Sequence, residues 1–318
     1  MSTRRALACA LLAAVPLAAQ QSENRSVEGR VMRANGSGLA AAPGAWVVLH
    51  RVGRDRQGPV DSARTDARGA FRIRYRADGD ESAVYFLATL HDGIAYLSSP
   101  LRAPRVSGAD AEIDVYDTAS MGIALRERGR HVIVLAPTAD GLRQIIEVYE
   151  IENGARRTLV PAASGLATWT APLPAGARDV RAEQGDVSPD ALIDGDGRVQ
   201  VLAPFAPGIK QVGFTYRVPA SAFPVALSGS RDTAVFEILV EEKGAIATGA
   251  GIRRVDDQTV DGHQLARYLS PNAPALAGVV ITAGAAPPAR APVAAAVLVA
   301  AMAVMMAGAL TIGLRRPG

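Results

Sequence analysis

The sequence is poor in the residues that build most covalent and metal chemistry. Of its 318 residues one is cysteine, Cys9, and four are histidine: His50, His91, His131 and His263. A single thiol near the N-terminus excludes a disulfide framework and a cysteine-based zinc site. The histidines show no paired spacing and no HExxH occurs, which excludes a zinc site built on one helix. No Gly-x-Ser-x-Gly elbow, P-loop or Gly-x-Gly-x-x-Gly is present, so a serine hydrolase or nucleotide-binding reading has no anchor. Aromatic residues are only 5%. Lysine occurs only as Lys210 and Lys243, so almost all positive charge is arginine. A net charge of +3 on this length does not suit a nucleic-acid protein, which carries a concentrated basic face. Arg4, Arg5, Arg315 and Arg316 supply four of those charges, so the rest of the chain sums to about −1. The net balance therefore gives no sign of an acidic partner.

What is present in concentration is apolar sequence at the two ends. Arg4 and Arg5 precede an apolar run from Ala6 to Val15, followed by the small residues Ala18 and Ala19. This order predicts a secretory signal peptide over residues 1–19. At the other end, residues 291–314 hold 24 consecutive uncharged residues, about 36 Å of helix, enough to cross a bilayer. A transmembrane helix is expected over 292–314, with Arg315 and Arg316 fixing 315–318 as a cytoplasmic tail. The Pro/Ala-rich stretch 283–291 reads as a semi-rigid linker. The expected topology is a single-pass protein of the cytoplasmic membrane whose N-terminal body is extracytoplasmic or periplasmic.

Between the ends, apolar positions alternate. Val212, Phe214, Tyr216 and Val218 stand two apart, Ile146 and Val148 repeat the pattern, and Val235–Val240 is a richer run suited to a central strand. Turn clusters such as 77–80, 152–154 and 194–197 separate such segments. The fold class expected is all-β: tandem β-sandwich modules plus one C-terminal transmembrane helix. The modules are placed at 27–105, 110–200 and 201–282.

The first module carries the most specific pattern: Gly29-x-Val31, then Pro43-Gly44-Ala45-Trp46-Val47-Val48-Leu49, then Thr65-Asp66-Ala67-Arg68-Gly69-Ala70-Phe71. Asp66 suits a turn it caps with its own side chain, Gly69 suits positive φ, and Phe71 suits a core position. Trp46, on an alternating segment, is expected to fill the core. This quarter of the chain resembles the carboxypeptidase regulatory-like family, a small transthyretin-like β-sandwich. The resemblance implies a non-catalytic folding, adhesion or sugar-binding accessory, with Thr65, Asp66, Gly69 and Phe71 as its structural turn. Residues 110–282 resemble exported bacterial β-rich regions to which no activity attaches.

Candidate chemistry elsewhere is sparse. Asp190, Asp194 and Asp196 alternate as calcium ligands can, but no Glu stands at the twelfth position of a calcium loop. Asp78, Asp80 and Glu81 form a similar cluster. Trp169, between Thr168 and Thr170, is the candidate for an exposed ligand platform. The resulting expectation is a non-enzymatic envelope protein without a cofactor. It meets the membrane through its C-terminal helix and acts as an interaction or scaffolding module for a protein partner. The alternatives are a carbohydrate- or peptidoglycan-binding protein and a metal-binding accessory.

Overall fold

The computed structural model describes residues 22–35, 38–183, 185–249, 251–260, 263–276 and 278–284. The signal peptide and the transmembrane helix expected from the sequence lie outside these residues. Among the described residues no helix is long and apolar enough to cross a membrane. The described fold is all-β, with two short 3-10 turns at Pro189–Ala191 and Ala220–Ala222. It divides into two compact units between Val115 and Tyr116.

The first unit contains β1 (Glu23–Asn35), β2 (Gly38–Ala41), β3 (Trp46–Val52), β4 (Gln57–Arg64), β5 (Ala70–Ala77), β6 (Val84–His91), β7 (Ile94–Leu97) and β8 (Arg105–Val115). In its first sheet β1 is central, with β5 and β2 antiparallel on one side and β8 parallel on the other. The second sheet runs β4-β3-β6-β7, all antiparallel. Alternation decides what lies between the sheets. Val27, Val31, Phe71, Ile73, Tyr75 and Ile113 are buried on the first sheet, and Val47, Leu49, Tyr85, Leu87 and Tyr96 on the second. The Tyr75 and Tyr85 rings meet 5.1 Å apart. Gly29 sits where β8 slips register against β1, and any Cβ there would come within 2.0 Å of the Ala111 carbonyl oxygen. The expected boundary at residue 105 falls at the start of β8, which belongs to this unit.

The second unit holds β9 (Thr118–Ala119), β10 (Leu125–Val134), β11 (Leu142–Asn153), β12 (Thr158–Leu159), β13 (Trp169–Pro172), β14 (Arg178–Ala182), β15 (Leu192–Gly195) and β16 (Arg198–Val201). It continues with β17 (Gly208–Pro219), β18 (Val225–Leu227), β19 (Thr233–Val240), β20 (Ile246–Gly249), β21 (Arg253–Arg254), β22 (Gln258–Val260), β23 (His263–Ala273) and β24 (Val279–Thr282). An eight-stranded sheet ordered β14-β17-β11-β10-β19-β23-β21, with β22 on β23, dominates it. One face packs on two three-stranded sheets, β13-β16-β15 and β18-β24-β20. Val132, Ile145, Phe214, Tyr216 and Ile238 join Trp169, Val199, Val201, Val279 and Ile281 in one core.

The division at residue 200 into two modules is corrected here. β11 pairs with β17 along its whole length and β10 pairs in parallel with β19. Strands from both expected modules thus share the large sheet. Cutting at 200 would leave each half with unpaired backbone groups, which a buried sheet cannot tolerate.

Candidate functional site

Each residue singled out by sequence has a definite place. The Asp66 carboxylate accepts hydrogen bonds from the backbone N–H groups of Arg68 (2.8 Å) and Ala70 (2.9 Å), closing the turn into β5. These bonds hold its carboxyl below the usual carboxylate range. Gly69 has φ of +73°, and its neighbour Phe71 is buried. The Thr65 hydroxyl donates to the Ala42 carbonyl (2.6 Å) and accepts from the Ala45 N–H (2.8 Å). The hydrogen bonds, the positive φ and the burial at these four residues shape the chain.

The three aspartates stand at separate points of the chain's surface. Asp190 lies in a 3-10 turn, Asp194 on β15, and Asp196 in the hairpin before β16; all are exposed. Their carboxylates do not converge. Asp196 and Gly197 both have positive φ, 54° and 67°, which is the type I′ hairpin that Asp-Gly favours. Asp78 and Asp80 are engaged by Arg56 and Arg54.

Both tryptophan expectations are reversed. Trp169 is 1% exposed, with its ring edge-on to Tyr149 at 4.8 Å. It belongs to the core because its strand, β13, turns that side chain toward the large sheet. Trp46 is 53% exposed. The inward positions of β3 are Val47, Leu49 and Arg51, so Trp46 falls on the outer face.

Several titratable groups are buried in the second unit, and sequence reasoning passed them over. Arg130 reaches Glu147 through Nε (2.9 Å) and Nη2 (2.8 Å) and donates to the Ser228 carbonyl. The Tyr216 and Tyr149 hydroxyls donate to the same Glu147 carboxylate at 2.7 and 2.9 Å. Burial drives both phenols well above their ordinary range. On the opposite side of the sheet, His131 Nδ1 meets Glu237 at 2.7 Å, and Arg267 reaches the other carboxylate oxygen. Burial opposes the Glu237 charge, but the His131 and Arg267 contacts outweigh it and hold the carboxyl below its usual range. His263 Nδ1 meets Glu241 at 2.7 Å, and Arg143 pairs with Glu242. One clue is visible in the sequence as Glu237 inside the otherwise apolar run Val235–Val240. Glu147 and Glu237 are each tied to side chains on adjacent strands, and Glu241 and Glu242, just past β19, pair with His263 and Arg143, which fits internal ties better than a reaction centre.

The contrasting feature is the outer face of the β4-β3-β6-β7 sheet. Its two central strands present Trp46, Val48, His50 and Val52 beside Val84, Phe86, Ala88 and Leu90. Leu97 extends the row from β7, opposite Ala88. Leu90 is 70% and Leu97 61% exposed. The His50 and Phe86 rings stack at 5.4 Å with 10° between planes. Arg64, the cross-strand neighbour of Trp46, lays its guanidinium 4.9 Å above the indole. The two central strands, about 4.8 Å apart and about seven residues long, give roughly 200 Å² of apolar surface, bordered by Leu97 on β7 and by Arg64 and Ser62 on β4. Apolar side chains gathered in one row in this way, unlike ones scattered singly, are the kind of surface that marks an interaction site.

The surface also says what it fits. A sugar ring needs an open aromatic face and hydroxyl partners around it. Here one face of Trp46 is taken by Arg64, and His50 is the one polar side chain in the two central outer rows. An apolar protein surface meets no such mismatch, and Trp and Arg are among the residues enriched where binding energy concentrates at protein interfaces. Compared with protein-family models and with curated proteins, the chain matches none.

Proposed function

We propose that this chain is a non-enzymatic envelope protein, exported by its N-terminal segment and anchored by its C-terminal span, whose first unit docks a protein partner. The observation that carries the reading is the exposed apolar face around Trp46, Phe86, Leu90 and Leu97. Leaving a leucine in water forgoes about 1.5–3 kcal/mol of burial, a cost that a docking role accounts for. The resemblance of residues 27–105 to the carboxypeptidase regulatory-like family points the same way, toward an accessory module. The sequence signals at both ends support a position in the cytoplasmic membrane with the body outside. The face covers about a quarter of the ~800 Å² that a standard interface buries per partner. The partner therefore contacts it transiently or extends beyond its rim, where Arg64 offers a positive charge.

The test is the size of the native complex. The full chain, extracted in mild detergent from the cells that make it, is expected to run as a larger assembly. Leu90→Lys puts a charge in the face without touching the core, and it is expected to reduce the assembly to the chain alone. A folded Leu90→Lys chain that keeps the full assembly would overturn the reading.

A further inference from the structure

The other outer face of the first unit differs in kind. On the sheet built around β1, the outward positions of β5 are Arg72, Arg74 and Arg76, all exposed. The central strand β1 carries short polar side chains at the same level. Ser26 lies between Arg74 on β5 and Arg105 on β8, and Asn24 lies opposite Arg76. Short side chains on the middle strand and long ones on its flanks make a trough. Its volume is about 690 Å³, with Arg74 and Arg76 on one wall, Arg105 on the other, and Asn24 and Ser26 on the floor. Glu28 closes one end, but its carboxylate is held by Arg72 at 2.8 Å. Arg74, Arg76 and Arg105 meet no acidic group among the described residues.

We infer that this trough binds a linear acidic polysaccharide. Arg74 and Arg76 are two residues apart on one strand, about 7 Å, and Arg105 is two strands from Arg74, about 10 Å. Carboxylates carried at intervals along a polymer can engage these guanidinium forks, which match carboxylate geometry bidentately. The Asn24 amide and Ser26 hydroxyl both donate and accept, which suits the hydroxyls of a sugar chain. An acidic peptide fits less well, because extended peptides dock by adding a strand to a sheet edge. The trough runs along β1, which is already paired on both sides. A flat membrane surface would meet the tips of the arginines and leave the polar floor unused. The body's overall charge of about −1 conceals this patch, because strand register and not composition gathers the three arginines. The site is separate from the apolar face and does not depend on it.

Binding of polygalacturonate to the full chain in detergent tests the inference. The intact chain is expected to bind at low salt, to weaken as salt rises, and to ignore neutral dextran. Arg74→Gln/Arg76→Gln/Arg105→Gln is expected to weaken binding at least tenfold, while Leu90→Lys leaves it unchanged. The three arginines are exposed, so the triple variant is expected to fold as the parent does. Absence of polygalacturonate binding, equal binding by the triple variant, or polyglutamate binding as tightly as polygalacturonate would each overturn it.

Discussion

The β4-β3-β6-β7 sheet of the first unit and the eight-stranded sheet of the second use the same alternating pattern to opposite ends. In the second unit most apolar positions of that sheet are buried, and even charged groups are drawn in with them, as Arg130, Glu147 and Glu237 are buried. In the first unit a full row of apolar side chains is left outside, from Trp46 to Leu97. The two tryptophans stand on opposite sides of the contrast: Trp169 is buried in a core, and Trp46 is exposed with Arg64 over its ring. Buried charge needs partners on neighbouring strands, and each such tie restricts the register of the large sheet. An exposed apolar row restricts nothing in the fold, which is why a partner is the natural account of it.

The largest effect is expected at Trp169. Trp169→Ala leaves a cavity beside Tyr149 and is expected to cost about 3–5 kcal/mol, read as a shifted urea midpoint by circular dichroism. An intermediate effect is expected at Glu237. Its charged hydrogen bonds suggest that Glu237→Gln costs about 1.5–3 kcal/mol at neutral pH. Because its folded carboxyl lies below its unfolded value, that stabilisation is present above the unfolded pKa of about 4.3. It is lost as pH falls through the folded value, so the parent and Glu237→Gln converge in acid. Glu127, whose carboxyl burial pushes up, has the opposite pH dependence, so the difference between parent and variant is the quantity to follow. The smallest effect on stability is expected at Trp46. Trp46→Ala removes an exposed stack with Arg64 and is expected to change stability by less than about 1 kcal/mol. If Trp46→Ala were as costly as Trp169→Ala, the contrast between the two sheets would fail.

Much of the fold is legible in the sequence. The alternation of Val212, Phe214, Tyr216 and Val218 marks β17, and the run Val235–Val240 marks a strand that is central, paired with β10 and β23. The Asp66–Gly69 turn is legible because its bonds are local. Non-local facts are not. Alternation shows that a strand has two faces, but only the position of the facing sheet decides which is inside, so Trp46 and Trp169 exchange roles. The boundary at 200 was misplaced because the pairing of β11 with β17 and of β10 with β19 spans many turns that themselves look like module ends. The Arg74, Ser26 and Arg105 row is invisible for the same reason, since its members come from three separate strands.

The most direct measurement places a photo-reactive amino acid at position 90, and for comparison at position 107 on the opposite outer face, in the full chain within its own cells. Docking through the apolar face predicts one discrete protein adduct from position 90 and none from position 107. No adduct from position 90, or the same adducts from both positions, would contradict it.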